Sequence, residues 1–204
     1  MPKLSVAKKQ LIDTEIKDKV YKEALTLLKE NDAQLFTMAE LADRVGIAKG
    51  TLYNYFADKS TVILYLNDRM TKEVFMDLRK ELANMTDYKE CLRLAFRTFQ
   101  RTMAEHYFLH VATLIISNEQ LNIEWPKRLS DAPVNTIMPY MEDMFRKGIA
   151  AGVFKDMPVE YLSGFMAATL HGLSAIFSMP QHNKKDYAKR NAAMEELLVS
   201  ALCR

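Results

Sequence analysis

The chain of 204 residues is 49% hydrophobic and 26% charged, with a formal net charge of +2. This length and apolar content allow one well-packed core and a small second domain, and they exclude a disordered or fibrous protein. A net charge this small does not by itself indicate nucleic-acid binding, so any contact with DNA must depend on locally placed positive charge. With 6 glycines, 6 prolines and no strand-like alternation, the chain is predicted to be all-α.

The cysteines and the N-terminal region bear on the cellular compartment. Cys91 and Cys203 have neither CxxC nor metal-ligand spacing, and we interpret them as free thiols in a reducing cytoplasm. No apolar stretch typical of a signal peptide follows the first residues, and no run approaches the roughly 18 apolar residues that cross a bilayer. We therefore expect a cytoplasmic protein without membrane contact.

A basic arm, residues 1–12, precedes the first predicted helix. Its lysines, Lys3, Lys8 and Lys9, either follow DNA phosphates or belong to a frayed tail, and the tail is favoured when no partner is present. From about Asp13 to Asn31, apolar residues recur on one side of a helix. This helix is predicted to cover the back of the motif that follows it.

The motif is the stretch TMAELADRVGIAKGTLYNYFADKS, residues 37–60. Thr37 and Glu40 have the spacing of a capping box, and Gly46 can adopt the left-handed conformation that ends a helix. A second short helix begins near Ala48, and Asp58 is the predicted N-cap of a third helix. Two helices joined by a short turn with glycine form a helix-turn-helix, although an ordinary helical hairpin has the same pattern.

One face of the second short helix is predicted to be exposed. Small, polar, basic and aromatic groups on such a face suit the major groove of DNA. They are Lys49, Gly50, Thr51, Tyr53 and Asn54. The helix start after Asp58 suits a phosphate, because its amides are unpaired and its dipole favours an anion.

The run ELADRVGIAKGTLYNYFADKS resembles the TetR family of bacterial transcription regulators. The resemblance covers the helix-turn-helix, the LYNYF segment and the lysine after it, and it favours a DNA-binding domain in residues 13–60 over a hairpin. It implies a fold of about nine helices, in which the second short helix enters the major groove. By position, Thr37, Tyr55 and Lys59 are expected to hold the DNA backbone, and the exposed face named above is expected to lie at or near base edges.

Residues 61–204 are predicted to form a ligand-binding and dimerisation domain. A helix from about Lys59 to Ala83 should reach roughly 35 Å and act as a lever between ligand and DNA. A loop is expected at Ser117 to Glu124, and Pro139 predicts a kink or a restart near Asn135. Gly152 is expected to close that helix.

The last two helices carry patterns typical of helix pairing. The penultimate helix has a stripe of small residues, Gly164, Ala168, Gly172 and Ala175, and the last helix has a seam that includes Met194 and Leu198. A monomer can bury such a seam against itself, but the resemblance implies a four-helix interface between two copies. We therefore predict a homodimer that reads a palindromic operator.

The middle helices hold the predicted ligand site. Its candidate residues are Phe96, Phe99, Met103, Tyr107, His110, Trp125, Met138, Met141, Phe145 and His171. Core filling explains most of them, but 13 methionines and the kinking Pro139 favour an irregular apolar pocket for a small lipophilic or aromatic inducer. The predicted function is thus a repressor that such an inducer releases from its operator.

Other chemistry is weakly indicated. His106 and His110 have the spacing of two metal ligands, but without a third ligand we interpret them as packing or hydrogen-bonding residues, and we expect no metal and no cofactor. No GxSxG, Walker or GxGxxG motif is present, so the sequence suggests no catalytic residues and no enzyme. An architectural DNA-binding protein without an inducer stays an alternative, although it would need a wider basic surface.

Overall fold

A computed structural model describes residues 6–31, 35–119, 134–177 and 187–204, and within these ranges the chain is helical. The only extended pairing in them is an isolated bridge between Phe154 and Cys203. The all-α prediction is confirmed. The nine helices of the described ranges are α1 (Val6–Glu30), α2 (Met38–Val45), α3 (Lys49–Tyr53), α4 (Lys59–Leu82), α5 (Tyr88–Glu105), α6 (Tyr107–Glu119), α7 (Val134–Ala150), α8 (Val159–Phe177) and α9 (Tyr187–Leu202).

The first helix begins earlier than predicted. It starts at Val6, so the second half of the proposed basic arm is helical. The reason is local, because the residues between Val6 and Asp13 include alanine, lysine, glutamine and leucine, which favour a helix, and no glycine or proline. Residues 1–5 lie outside the described ranges.

The caps of the helix-turn-helix are as predicted. The Thr37 hydroxyl accepts from the Glu40 amide at 3.1 Å, and the Thr37 amide donates to the Glu40 carboxylate at 3.4 Å. Gly46 ends α2 with a φ of 76°, in the left-handed region where a side chain is strained. Asp58 caps α4 by accepting from the Thr61 amide at 2.7 Å. These contacts fix where α2 ends and α4 begins, and so hold the short α3 between them.

A first hydrophobic core lies under α1 to α4. Its buried members include Val20, Leu28, Leu41, Leu52 and Phe56. Helix α6 belongs to the same core and contributes three buried residues, which are Leu109, Ala112 and Ile116. The core that supports the helix-turn-helix is therefore completed by a helix that lies far beyond residue 60.

Three boundaries in the middle of the chain differ from the sequence prediction or refine it. Helices α5 and α6 are separated at His106, whose φ is −112°. Helix α6 extends to Glu119, so the first part of the predicted loop is helical. Helix α7 begins at Val134 and continues through Pro139, which lacks the amide needed for one backbone hydrogen bond of the helix. The residues before Val134 lie outside the described ranges, so the kink or restart near Asn135 stays a prediction.

A second hydrophobic core joins α5, α7, α8 and α9. Gly152 ends α7 with a φ of 73°, as predicted, and the chain then turns so that Phe154 is fully buried. The Phe154 and Phe145 rings pack edge to face, with 5.0 Å between their centroids. Cys91 and Cys203 are free thiols in this core, and burial raises the pKa of each. None of the described helices has the length and apolar character of a membrane span.

An ion-pair network fixes α9 on α5. The Glu195 carboxylate, 9% exposed, accepts from Arg97 at 2.7 Å and from Arg93 at 2.8 Å. Arg93 also donates to Glu196 at 2.6 Å. The hydrogen bonds from Arg97, followed by those from Arg93, lower the pKa of Glu195 although its burial raises it. The network therefore sets which side of α9 faces the chain's own core.

Candidate DNA-binding site and effector region

Helix α3 presents the predicted DNA-contacting face to solvent. Lys49, Gly50, Tyr53 and Asn54 are exposed, and Thr51 is half-buried. The opposite side of this five-residue helix is anchored by Leu52, which is fully buried in the first core. A short helix held by one buried leucine offers its remaining side chains to an outside partner.

Two features of this face bear on its contact with a partner. The Lys49 ammonium lies 5.8 Å from the centroid of the Tyr53 ring, a distance at which a cation and an aromatic face attract each other. A Cβ at Gly50 would meet nothing within 4 Å among the described residues, so this glycine leaves open space at the surface. The lysine is a hydrogen-bond donor that suits guanine in the major groove.

The three residues assigned to the DNA backbone have different surroundings. Lys59 is exposed in the first turn of α4, where its ammonium can reach a phosphate. Thr37 is exposed too, but its hydroxyl already accepts the capping bond described above. The Tyr55 hydroxyl donates to the Asp13 carboxylate at 2.6 Å, and this bond raises the pKa of Tyr55. Tyr55 thus ties α3 to α1 instead of presenting a free hydroxyl to DNA.

Comparison with known proteins identifies the family of the helix-turn-helix region. The model of the bacterial regulatory proteins of the tetR family matches residues 20–66, which contain α2, α3 and the first turns of α4. Residues 20–66 thus form a DNA-binding domain of the TetR family. The protein is a DNA-binding transcriptional regulator, and its relatives are regulators and not enzymes. Regulators of the TetR family bind DNA and small-molecule ligands and act as dimers.

More distant comparisons extend over most of the chain. The fatty acid metabolism regulator protein of Bacillus subtilis (strain 168) is 21% identical over 180 residues, which are 88% of this chain and 91% of that protein. The crystal structure of FadR from Bacillus subtilis in complex with stearoyl-CoA is 20% identical, with a TM-score of 0.74, and the match covers 89% of this chain and 97% of that one. A TetR transcription regulator from Haloarcula marismortui is 16% identical, with a TM-score of 0.76 over 94% and 100%. At these identities the structures show a shared fold.

The predicted ligand-binding residues are mostly core residues where the structure describes them. Phe96, Met141 and Phe145 are 0%, 6% and 0% exposed and pack in the second core. Met103 is 9% exposed, and Phe99 packs against the same core. Packing alone accounts for these five positions, so their contact with a ligand stays a prediction.

The remaining ligand candidates lie near the edge of what the structure describes. Tyr107 and His110 are half-buried in the first turn of α6. Trp125 lies outside the described residues, and the side chains of Met138 and His171 do too. Within the described ranges, no group of three or more His, Cys, Asp or Glu residues could hold a metal ion, so His106 and His110 belong to no such group.

A groove of about 320 Å³ runs between α4 and α5. It contains none of the predicted ligand residues, and its lining is Val74, Asp77, Leu78, Glu81, Thr98, Arg101, Thr102 and Glu105. Three carboxylates and an arginine make it a wet, polar surface, because charged groups lose hydration when an apolar molecule covers them. The groove does not suit the lipophilic ligand predicted from the sequence.

The small-residue stripe of α8 is exposed in the single chain. Gly164, Ala168 and Gly172 are open to solvent, while the Ala175 side chain lies outside the described residues. Two large apolar residues that sequence reasoning missed share this stripe: Tyr161 is 63% exposed and Phe165 is 47% exposed. They were detectable, because residues 161, 165, 168 and 172 follow one another at alternating steps of four and three.

The seam predicted on α9 faces its own chain. Leu198 is 3% exposed in the second core, and Met194 packs against that core. Leu198 is therefore covered by its own chain, which corrects its assignment to the dimer interface. Met194 is only half-buried, so its place in the dimer interface stays a prediction. The side of α9 that remains open carries Leu197, which is 70% exposed.

Proposed function

We propose that this TetR-family protein is a homodimeric repressor that binds a palindromic operator and is released by a lipophilic ligand. Operator recognition is supported by the surface of α3. Leu52 anchors this helix in the core, and its exposed residues are Lys49, Gly50, Tyr53 and Asn54. A helix of this kind reads base edges, while Lys59 at the start of α4 holds a phosphate. Because its operator lies on chromosomal DNA, we expect this repressor to act in the cytoplasm.

The proposed dimer uses the open sides of α8 and α9. Tyr161, Phe165 and Leu197 are large apolar side chains with nothing to cover them within the described single chain, and Gly164 and Gly172 allow a second backbone to approach. Exposed apolar area of this kind favours association, because contact with a second copy removes it from water. A two-fold symmetric particle then presents two α3 helices to two half-sites.

The proposed ligand is a long-chain acyl thioester. Two observations on relatives support this class: one curated relative is a fatty acid metabolism regulator, and one structure with the same fold holds stearoyl-CoA. The second domain of this chain is built from apolar and flexible side chains, including Met103, Met141 and Met144, which adapt to an extended hydrocarbon. A ligand of this kind is lipophilic, as the sequence predicts.

DNA recognition is tested by two lysine variants with different predicted roles. Lys59→Ala should weaken binding to operator and to random duplex alike and lower the slope of log affinity against log salt by about 1, because one phosphate contact is lost. Lys49→Ala should instead change which base is preferred at one operator position, at a cost of about 1–3 kcal/mol there. Fluorescence anisotropy over a salt series and a panel of single-base operator variants measures both quantities.

The matched control is Lys72→Ala, which removes an exposed lysine from α4 without touching the proposed DNA face. It should leave the slope and the base preference unchanged. Unchanged binding of the Lys59 variant to both duplexes at low salt would contradict the phosphate role. A uniform loss of affinity in the Lys49 variant would move Lys49 to the phosphate class.

The ligand is tested by release of a preformed operator complex. Stearoyl-CoA should lower operator affinity in a saturable way, whereas coenzyme A alone should not, because the hydrocarbon supplies the binding energy. Phe99→Ala should shift the titration to higher stearoyl-CoA concentration. If every acyl compound that binds the protein leaves operator affinity unchanged, the sensing function fails and the architectural alternative gains support.

A further inference from the structure

Helices α1 and α4 meet at one charged side chain, Arg69. Its Nη1 donates to the Asp18 carboxylate of α1 at 2.5 Å. The guanidinium carbon also lies 4.3 Å from the centroid of the Tyr21 ring, which is on α1 as well. The Arg69 side chain is 27% exposed, so the contact is partly shielded from water and salt.

The same guanidinium is held firmly on its own helix. Arg69 Nε donates to Glu73 at 2.9 Å, and Nη1 also donates to the Tyr65 hydroxyl at 3.2 Å. The Tyr65 hydroxyl in turn donates to the Lys17 carbonyl of α1 at 3.4 Å. Because a guanidinium is planar and its donors point in fixed directions, these contacts set the rotation of α1 about α4.

Arg69 lies on α4 among residues of the first core, before the passage to the second core between Val74 and Leu78. Its neighbours Leu66 and Met70 are buried in the first core, and Leu82 at the far end of α4 is buried in the second. Apolar packing holds α1 against α4 but does not fix the rotation of one helix about the other, since the hydrophobic effect is non-directional. The directional contacts between the two helices are therefore concentrated at Arg69 and its partners.

Helix α1 transmits this orientation to the helix-turn-helix. Arg44 of α2 forms an ion pair with Glu30 of α1. Tyr55, two residues beyond the end of α3, is hydrogen-bonded to Asp13 of α1. Both short helices also share the first core with α1. The rotation of α1 about α4 thus determines where α3 points.

We propose that Arg69 is a positioning residue that sets the direction of the recognition helix α3 relative to α4, and so the distance between the two half-sites that a dimer accepts. The inference rests on the proposed function, since it presumes an operator with two half-sites. Without Arg69 the two cores remain, but α1 can rotate on α4 and the dimer accepts a range of half-site separations. The property that changes is therefore selectivity for spacing.

The test compares affinities for operators of different spacing. An operator is first selected from a random duplex library with the wild-type protein, and versions with one base pair inserted or removed between the half-sites are then made. The ratio of affinities for the original and altered spacing should fall about fivefold or more in Arg69→Met. The ratio is informative because a general loss of stability or of positive charge weakens binding to all these duplexes by a similar factor. Such a loss leaves the ratio unchanged.

Three further variants sharpen the result. Asp18→Asn keeps the shape of the side chain but removes its charge, and it should lower the ratio in the same direction. Arg69→Lys keeps the charge but not the planar fork, so it should give an intermediate ratio. Lys72→Met breaks an ion pair that lies wholly within α4, with Asp68 at 2.7 Å, and should leave the ratio at its wild-type value.

Each outcome has a distinct meaning. A lowered ratio in Arg69→Met and Asp18→Asn, but not in Lys72→Met, supports the positioning role. An unchanged ratio in the first two variants, or an equal fall in all three, overturns it while the proposed function stands. A wild-type protein that selects no two-part operator overturns the proposed function, and this inference fails with it.

Discussion

Replacing Phe165 with lysine should convert the proposed dimer into a monomer. The side chain is 47% exposed in the single chain, so the substitution leaves the fold of the monomer intact. In the proposed dimer the same position lies on the apolar stripe of α8, where two lysines related by symmetry would lose hydration and repel each other. Light scattering at micromolar concentration should report about half of the wild-type mass.

The same variant should bind its operator about 100-fold or more weakly, because two linked half-site contacts act at high effective concentration and two separate ones do not. Met76→Lys is the matched control, since Met76 is 51% exposed but lies on α4. It should remain dimeric and keep its operator affinity. A Phe165→Lys protein of undiminished mass would place the dimer interface elsewhere.

Phe154→Ala should lower the free energy of unfolding by about 3–5 kcal/mol, the range for removal of a buried aromatic ring. Phe154 is 0% exposed, packs edge to face on Phe145 and lies in the turn that joins α7 to α8. Its loss opens a cavity in the second core. Denaturant unfolding at one fixed protein concentration measures the effect, because the stability of a dimer depends on concentration.

Gly148 tests the same contact from the opposite side. A Cβ on Gly148 would lie 2.3 Å from the Phe154 ring, closer than real Cβ atoms come, so Gly148→Ala should cost about 1–3 kcal/mol. Combining it with Phe154→Leu should cost less than the sum of the single changes, because the smaller side chain relieves the clash. Gly50→Ala is the control, since its Cβ meets nothing within 4 Å among the described residues. Strictly additive costs would contradict a direct clash.

Local chemistry made several helix ends predictable. Thr37, Gly46, Asp58 and Gly152 act through caps and backbone conformations that involve only a few neighbouring residues. The start of α1 is predicted too late, because no glycine or proline between Val6 and Asp13 marks a helix boundary. Where the sequence carries a stop or start signal, the structure follows it.

Contacts between distant residues left no such signal. The Tyr55 and Asp13 pair is separated by 42 residues, and the Arg69 and Asp18 pair by 51. Nothing in the local pattern connects their side chains, so a tyrosine expected at a phosphate proved to be bonded within its own domain. The apolar periodicity of α9 does not predict its packing partners either. It groups Met194 with Leu198 on one face, but the same pattern fits packing on the chain's own core and on a second copy.

The place of α6 bears on how this protein can be divided. Three of its residues, Leu109, Ala112 and Ile116, complete the core on which the operator-reading helices rest. A fragment ending at residue 60 would leave that core open and would be too small to compensate, since very short chains bury too little surface to be stable. We therefore expect that the helix-turn-helix region does not fold as an isolated fragment and that it does not function when transferred to another protein by itself. A substitution that changes the volume of one of these α6 residues should therefore disturb the core under α3, although it lies far from the helix-turn-helix in the sequence.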